Sequence, residues 1–101
     1  MLEKVKTLLG IKSGEQDELL SSIIEIVAAR LCLMLNAEEV PSQLEYIVQE
    51  VAVVRFNRIG SEGLKAHSIE GEKMDFGSSD FDPYVADIQR FNAQGGKVRF
   101  L

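Results

Sequence analysis

The sequence predicts an all-α domain of about four helices, and three observations carry that prediction. Apolar residues recur at three-to-four spacing through the first sixty positions. Gly10, Asn36, Pro41, Gly60 and Pro83 cut that pattern into pieces of helix length. Strand-like alternation is confined to a short hairpin candidate around EGEK and to the closing KVRFL. With 101 residues there is room for one domain, and none to spare from the core for a large catalytic cleft. We expect residues 1–94 to form this domain and residues 95–101 an extended arm.

The first helix places Leu2, Val5, Leu8 and Leu9 on one face and stops near Gly10. Ser13 followed by Gln16 is a capping-box pattern that opens a second helix running to Leu35, with Asn36 as its end. The apolar side chains of this helix, among them Leu19, Ile26 and Leu33, fill roughly 220° of a helical wheel. A surface stripe needs little more than ~100°. Two readings follow, and both can hold at once: a central helix wrapped by the others, and a helix part of whose arc is a subunit interface.

Pro41 suits the first turn of a third helix, in which Leu44, Ile47, Val48, Val51, Val54 and Ile59 share a face up to Gly60. Arg55 and Arg58 fall inside that apolar arc and require either outward stems or carboxylate partners. The available partners are Glu62 and Glu70, or Asp80 and Asp82. Tyr46, Val53 and Phe56 stand at the rear of the helix, where a lone chain has little use for them, and we expect a second contact surface there.

Residues 60–80 hold four of the eight glycines and read as a long loop, with Ile69, Met74 and Phe76 pinning a short hairpin. A loop of that length in a compact domain is usually functional. Asp82-Pro83 supplies the cap and first position of a last helix with Tyr84, Val85, Ile88 and Phe91 on its face. After Gly95-Gly96 the tail alternates, as a segment able to pair with another chain's edge does.

The side-chain inventory argues against catalysis. Cys32 is the one cysteine and lies in an apolar helical run as a small filler; His67 is the one histidine and lies in a polar stretch. No disulfide, multi-cysteine zinc site or two-histidine metal site can form within the chain. Asp75, Asp80 and Asp82 miss the calcium-loop spacing, and the GSEG stretch lacks the spacing of a phosphate loop. We therefore expect no enzyme, no cofactor and no metal.

Net charge is −5, carried by the first fifty residues with four basic and nine acidic side chains; the rest has seven of each. Such a balance opposes tight nucleic-acid binding, which needs clustered cations. A small helix-turn-helix DNA reader, with Arg55, Arg58 and Lys65 as a basic edge, is the alternative class. The N-terminal stretch has no signal-peptide pattern, and the longest apolar run, 26–35, is too short to span a bilayer. We expect a cytosolic chain with no membrane partner.

The string Val54-Arg55-Phe56-Asn57-Arg58-Ile59-Gly60-Ser61-Glu62-Gly63-Leu64, continued by Ser68-Ile69-Glu70-Gly71, resembles the head–tail connector (adaptor) proteins of long-tailed bacteriophages and prophages. The opening MLEKVKTLLGI, Val40-Pro41 and Asp82-Pro83-Tyr84 support the resemblance, which spans nearly the whole chain. It departs at Lys65-Ala66-His67, where the family shows more serine.

The resemblance implies a structural virion protein at the head–tail interface, assembled in the host cytoplasm. In that family copies form a ring, commonly twelve-fold, beneath the portal protein. The ring extends the DNA channel, with DNA only as passing cargo, and presents a surface to stopper or tail-completion proteins. On this reading we expect Leu19, Ile26, Leu33, Tyr46, Val53, Phe56, Arg55, Arg58, Glu62 and Glu70 as subunit-interface residues, with the two arginines meeting Glu62 or Glu70 either to fix the base of the loop or to bridge subunits. Lys97, Val98, Arg99, Phe100 and Leu101 are then a portal-docking arm, with Val98 and Phe100 as its anchors.

Overall fold

The protein is described from a computed structural model covering residues 1–70 and 78–94, with side chains described for 1–59 and 80–94. Among the described residues there are four α-helices and no strand: α1 (Leu2–Leu9), α2 (Asp17–Leu35), α3 (Glu45–Glu70) and α4 (Val85–Ala93). Two 3₁₀ segments, Ser42–Leu44 and Ser78–Tyr84, lead into α3 and α4. The hairpin expected around EGEK, with Met74 and Phe76, and the arm 95–101 lie outside the described residues.

Two left-handed residues set the helix ends. Gly10 (φ 75°) closes α1, and the amides after its last turn return to the Lys6 and Thr7 carbonyls. Asn36 (φ 58°) closes α2 in the same way, with Ala37 N–H donating to the Cys32 carbonyl at 2.9 Å. Asparagine tolerates this conformation better than most side chains. Lys6 Nζ lies 2.7 Å from Asp17 Oδ1, so the last turn of α1 is tied to the first residue of α2.

The start of α2 differs from the capping-box reading. Gln16 is the N-cap and the helix begins at Asp17, while Ser13 Oγ only accepts a 3.4 Å bond from the Glu15 amide. Gly14 beside Ser13 favours a turn over a helical first turn. Pro41 likewise stands one step earlier than expected: it is extended (ψ 147°) and its carbonyl accepts from Leu44 N–H at 2.9 Å, forming the 3₁₀ turn before α3.

The larger difference is at Gly60. The helix does not stop there but continues ten residues to Glu70, which takes about half of the expected 60–80 loop into α3. A helical glycine costs only about 1 kcal/mol relative to alanine. The sequence from 61 to 70 includes Glu62, Leu64, Lys65, Ala66 and Glu70, which are good helix formers, so two glycines do not break it.

The core is formed where α2 lies on α3, with α1 across both. Leu20, Ile23, Val27, Leu31 and Leu35 from α2 meet Leu44, Ile47, Val48, Val51 and Ala52, and Val5 of α1 and Ile88 of α4 complete the cluster. Phe81 is fully buried and is the largest side chain in the core. It enters from the 3₁₀ segment Ser78–Tyr84, within which Pro83 stands, so α4 begins at Val85 rather than at the Asp82-Pro83 step.

Candidate functional site

Three features of the surface carry chemistry or contact potential. The first is an ion-pair clamp. Arg55 and Arg58 stand nearly one turn apart on α3, and Asp80, beside the buried Phe81, reaches both. Arg55 Nε donates to Asp80 Oδ2 at 2.9 Å; Arg58 Nη2 donates to Oδ1 at 2.7 Å and Nη1 to Oδ2 at 3.4 Å. The side chains of Arg55 and Asp80 are 3% and 8% exposed, and that of Arg58 is 34% exposed. Burial pushes the Asp80 carboxyl up, but the hydrogen bonds and charges of Arg58 and Arg55 outweigh it and hold the group below the ordinary carboxylate range. Of the four carboxylates available from the sequence, Asp80 is therefore the described partner of both arginines. The side chains of Glu62 and Glu70 lie outside the described residues.

The second feature is the seam between α3 and α4. Tyr46 Oη donates to Asp87 Oδ2, and Tyr84 Oη donates to Glu50 Oε1 at 2.6 Å. The two rings meet edge to face with centroids 6.2 Å apart. The bond to Asp87, with burial and the nearby carboxylates, pushes the Tyr46 hydroxyl up to about 12. For Tyr84, burial leads and the Glu50 bond adds to it, again to about 12.

Tyr46 therefore has a use within one chain, and so do Val53 and Phe56, which are half buried against the core. The premise that a lone chain leaves these three idle is corrected: Tyr46 bonds to α4, and Val53 and Phe56 pack in part against the core.

The third feature is the outer face of α2. Leu19, Ile26 and Leu33, spaced by seven, are 37%, 55% and 78% exposed. Such spacing keeps them nearly in line along the helix. The α2 arc too wide for one stripe is thus divided in fact, one side in the core and one line in solvent. Beside that line an apolar groove of ≈ 190 Å³ opens between α2 and α3, lined by Leu19, Ser22, Ile23, Ile26, Arg55 and Ile59.

Little else here invites chemistry. Cys32 is half buried, and burial with the Glu39 charge pushes its thiol up, away from the reactive thiolate. Among the described residues no group of three His, Cys, Asp or Glu side chains is placed to hold a metal ion. No helix among them is long and apolar enough to cross a membrane. Arg55 and Arg58, the start of a supposed basic DNA-reading edge, both bond to Asp80. Of the expected site residues, the structure joins Arg55 to Arg58 and aligns Leu19, Ile26 and Leu33; residues 97–101 lie outside the described part. Phe81 is the residue the sequence reading missed, because no apolar periodicity surrounds it in SSDFDPY.

Comparison with curated proteins and with solved structures gives no match. A comparison with family models gives one: residues 1–91 match the model described as phage gp6-like head-tail connector protein.

Proposed function

The chain belongs to the phage gp6-like head–tail connector family, and we propose that within the virion it acts as a ring-forming adaptor between portal and tail. The family match over 1–91, nine-tenths of the chain, is the observation that carries this reading. A connector of this family is a structural component of the phage particle, with work to do through surfaces rather than through a catalytic centre.

Copies arranged head to tail in a ring need two different patches per subunit. The exposed line Leu19, Ile26 and Leu33 is the first patch in this reading. The second is the rear of α3, where the part of Tyr46, Val53 and Phe56 left uncovered by the chain's own packing meets a neighbour. Arg58, still one-third exposed beside Asp80, stands on the other face of α3, nearer the α2 line. The ring sits beneath the portal, and its lumen continues the DNA channel. A chain of net charge −5 releases few counterions against phosphate and so lets DNA pass without gripping it.

Sedimentation velocity of the purified chain, alone and mixed with its portal protein, tests the proposal. A closed species of ring mass in either preparation is the expected result. Leu33→Asp should abolish it while leaving the helical circular dichroism unchanged, since Leu33 is 78% exposed. A tight dimer in both preparations, or a chain that ignores the portal, overturns it.

A further inference from the structure

We infer that the apolar groove between α2 and α3 seats the 95–101 segment of a second copy of this chain, with Phe100 entering it. The inference rests on the ring reading for the placement of a neighbour, and it names what fills the groove.

The groove is walled almost wholly by apolar atoms, yet Leu19, Ile26 and Ile59 on its walls are 37%, 55% and 39% exposed. At ≈ 190 Å³ it accommodates a phenyl ring; an apolar cavity of about 150 Å³ already takes up benzene. The segment Lys97-Val98-Arg99-Phe100 supplies a matching shape. Extended, it turns Val98 and Phe100 to one side and Lys97 and Arg99 to the other.

Charge agrees with shape. Glu18 and Glu25 are exposed on α2, each one residue before a groove residue, and they form an acidic line beside it. They stand ~10 Å apart along the helix. Lys97 and Arg99 lie ~7 Å apart on an extended chain, a mismatch their long side chains absorb. Arg30 stands a turn beyond Ile26, past the acidic pair.

Reach decides between the chain's own groove and a neighbour's. Gln94 lies beside Gln43, Leu44 and Tyr46, at the start of α3. The groove meets α3 at Arg55 and Ile59. Tyr46 and Ile59 are separated by ~20 Å along the helix axis and by about 140° around it. Six residues from Gln94 to Phe100 span at most ~20–22 Å. The axial distance to Ile59 alone consumes that length. Arg55 is only ~14 Å along the axis but stands half a turn around the helix from Tyr46, so the detour takes up the remainder. A contact between one subunit's arm and another's groove is heterologous, the kind that closes rings. The family match covers residues 1–91 and so does not include this segment.

Disulfide trapping with full-length protein tests it. In a Cys32→Ser background, Ile26→Cys and Phe100→Cys chains are mixed and oxidised, both free and in the portal-mounted assembly. The expected product is a cross-link between the two different chains, absent when Leu8→Cys, exposed on α1, replaces Ile26→Cys. Phe100→Asp should raise the concentration needed for self-association on the order of ten-fold or more, and Phe100→Leu should not. A normal ring from Phe100→Asp, with no cross-link, overturns the arm contact and leaves the ring reading standing. If that variant forms rings but loses the portal, the arm belongs on the portal and the inference is again overturned. An intrachain disulfide in a doubly substituted monomer overturns the second-copy assignment. A chain that stays monomeric both alone and with the portal overturns the inference and the ring reading together.

Discussion

Asp80 holds two guanidinium groups with two oxygens, and the energetics of that arrangement are unequal. Replacing one member of a buried ion pair costs about 3–5 kcal/mol because a charge is left in the interior, whereas an exposed pair is worth about 1 kcal/mol or less. Arg55 is buried and Arg58 is one-third exposed. Asp80→Asn should therefore lower unfolding stability by about 3 kcal/mol, and Arg58→Ala by about 1 kcal/mol, in urea titrations at neutral pH. The folded-state carboxyl value is depressed, so its contribution is complete above the unfolded value near 3.8 and is lost as pH falls through the folded value beneath it. The difference between wild type and Asp80→Asn should shrink across that acid window. The tyrosines behave oppositely. Both hydroxyls are raised to about 12, so their contribution is complete below the ordinary value of 10.0 and is lost as pH rises through about 12. The chain has two tyrosines and no tryptophan, so alkaline ultraviolet absorbance counts both directly. Half-ionisation well above 10.0 is expected; titration of either at its ordinary value would show that its carboxylate bond is not made.

At the scale of elements, α2 makes the sharpest contrast. Leu31 is fully buried and Leu33, two positions on, is 78% exposed. Leu31→Ala should cost about 2–5 kcal/mol through lost contact and a residual cavity. Leu33→Ala in the isolated chain should stay within about 0.5 kcal/mol of wild type in the same denaturation measurement. The sequence supplied the helix and its end at Asn36, since an apolar period and a residue able to turn left-handed are local properties. It left the division of the wide arc open, because the position of α3 decides which side is core. The glycines at 60 and 63 hid the continuation of α3, as a stop signal and a tolerated helical glycine look alike without the flanking context. Asp80 was one of four candidate carboxylates; choosing it required a contact across 25 residues. Phe81 was invisible for the same reason, since its burial depends on how the 3₁₀ segment lies over the core and not on its neighbours in sequence.

For the whole molecule, charge and surface divide the work. The acidic excess lies in the first fifty residues, on the elements that carry the exposed α2 line. Duplex DNA should consequently remain unretarded by micromolar protein in a gel-shift experiment at physiological salt, because a net charge of −5 opposes binding to phosphates. Retardation that weakens steeply with added salt would contradict this and favour a DNA-gripping role. The exposed apolar line of α2 is assigned to neighbours, and the clamp and the tyrosine seam hold α3, the 3₁₀ segment and α4 together. That seam has an optical consequence. Both of the chain's strongest fluorophores sit on it, each hydrogen-bonded to a carboxylate that accepts a proton from the excited phenol and dims its emission. Intrinsic fluorescence thus reports a single junction, and α4 leaving α3, during unfolding or when a tail protein docks there, should announce itself as a brightening without any label.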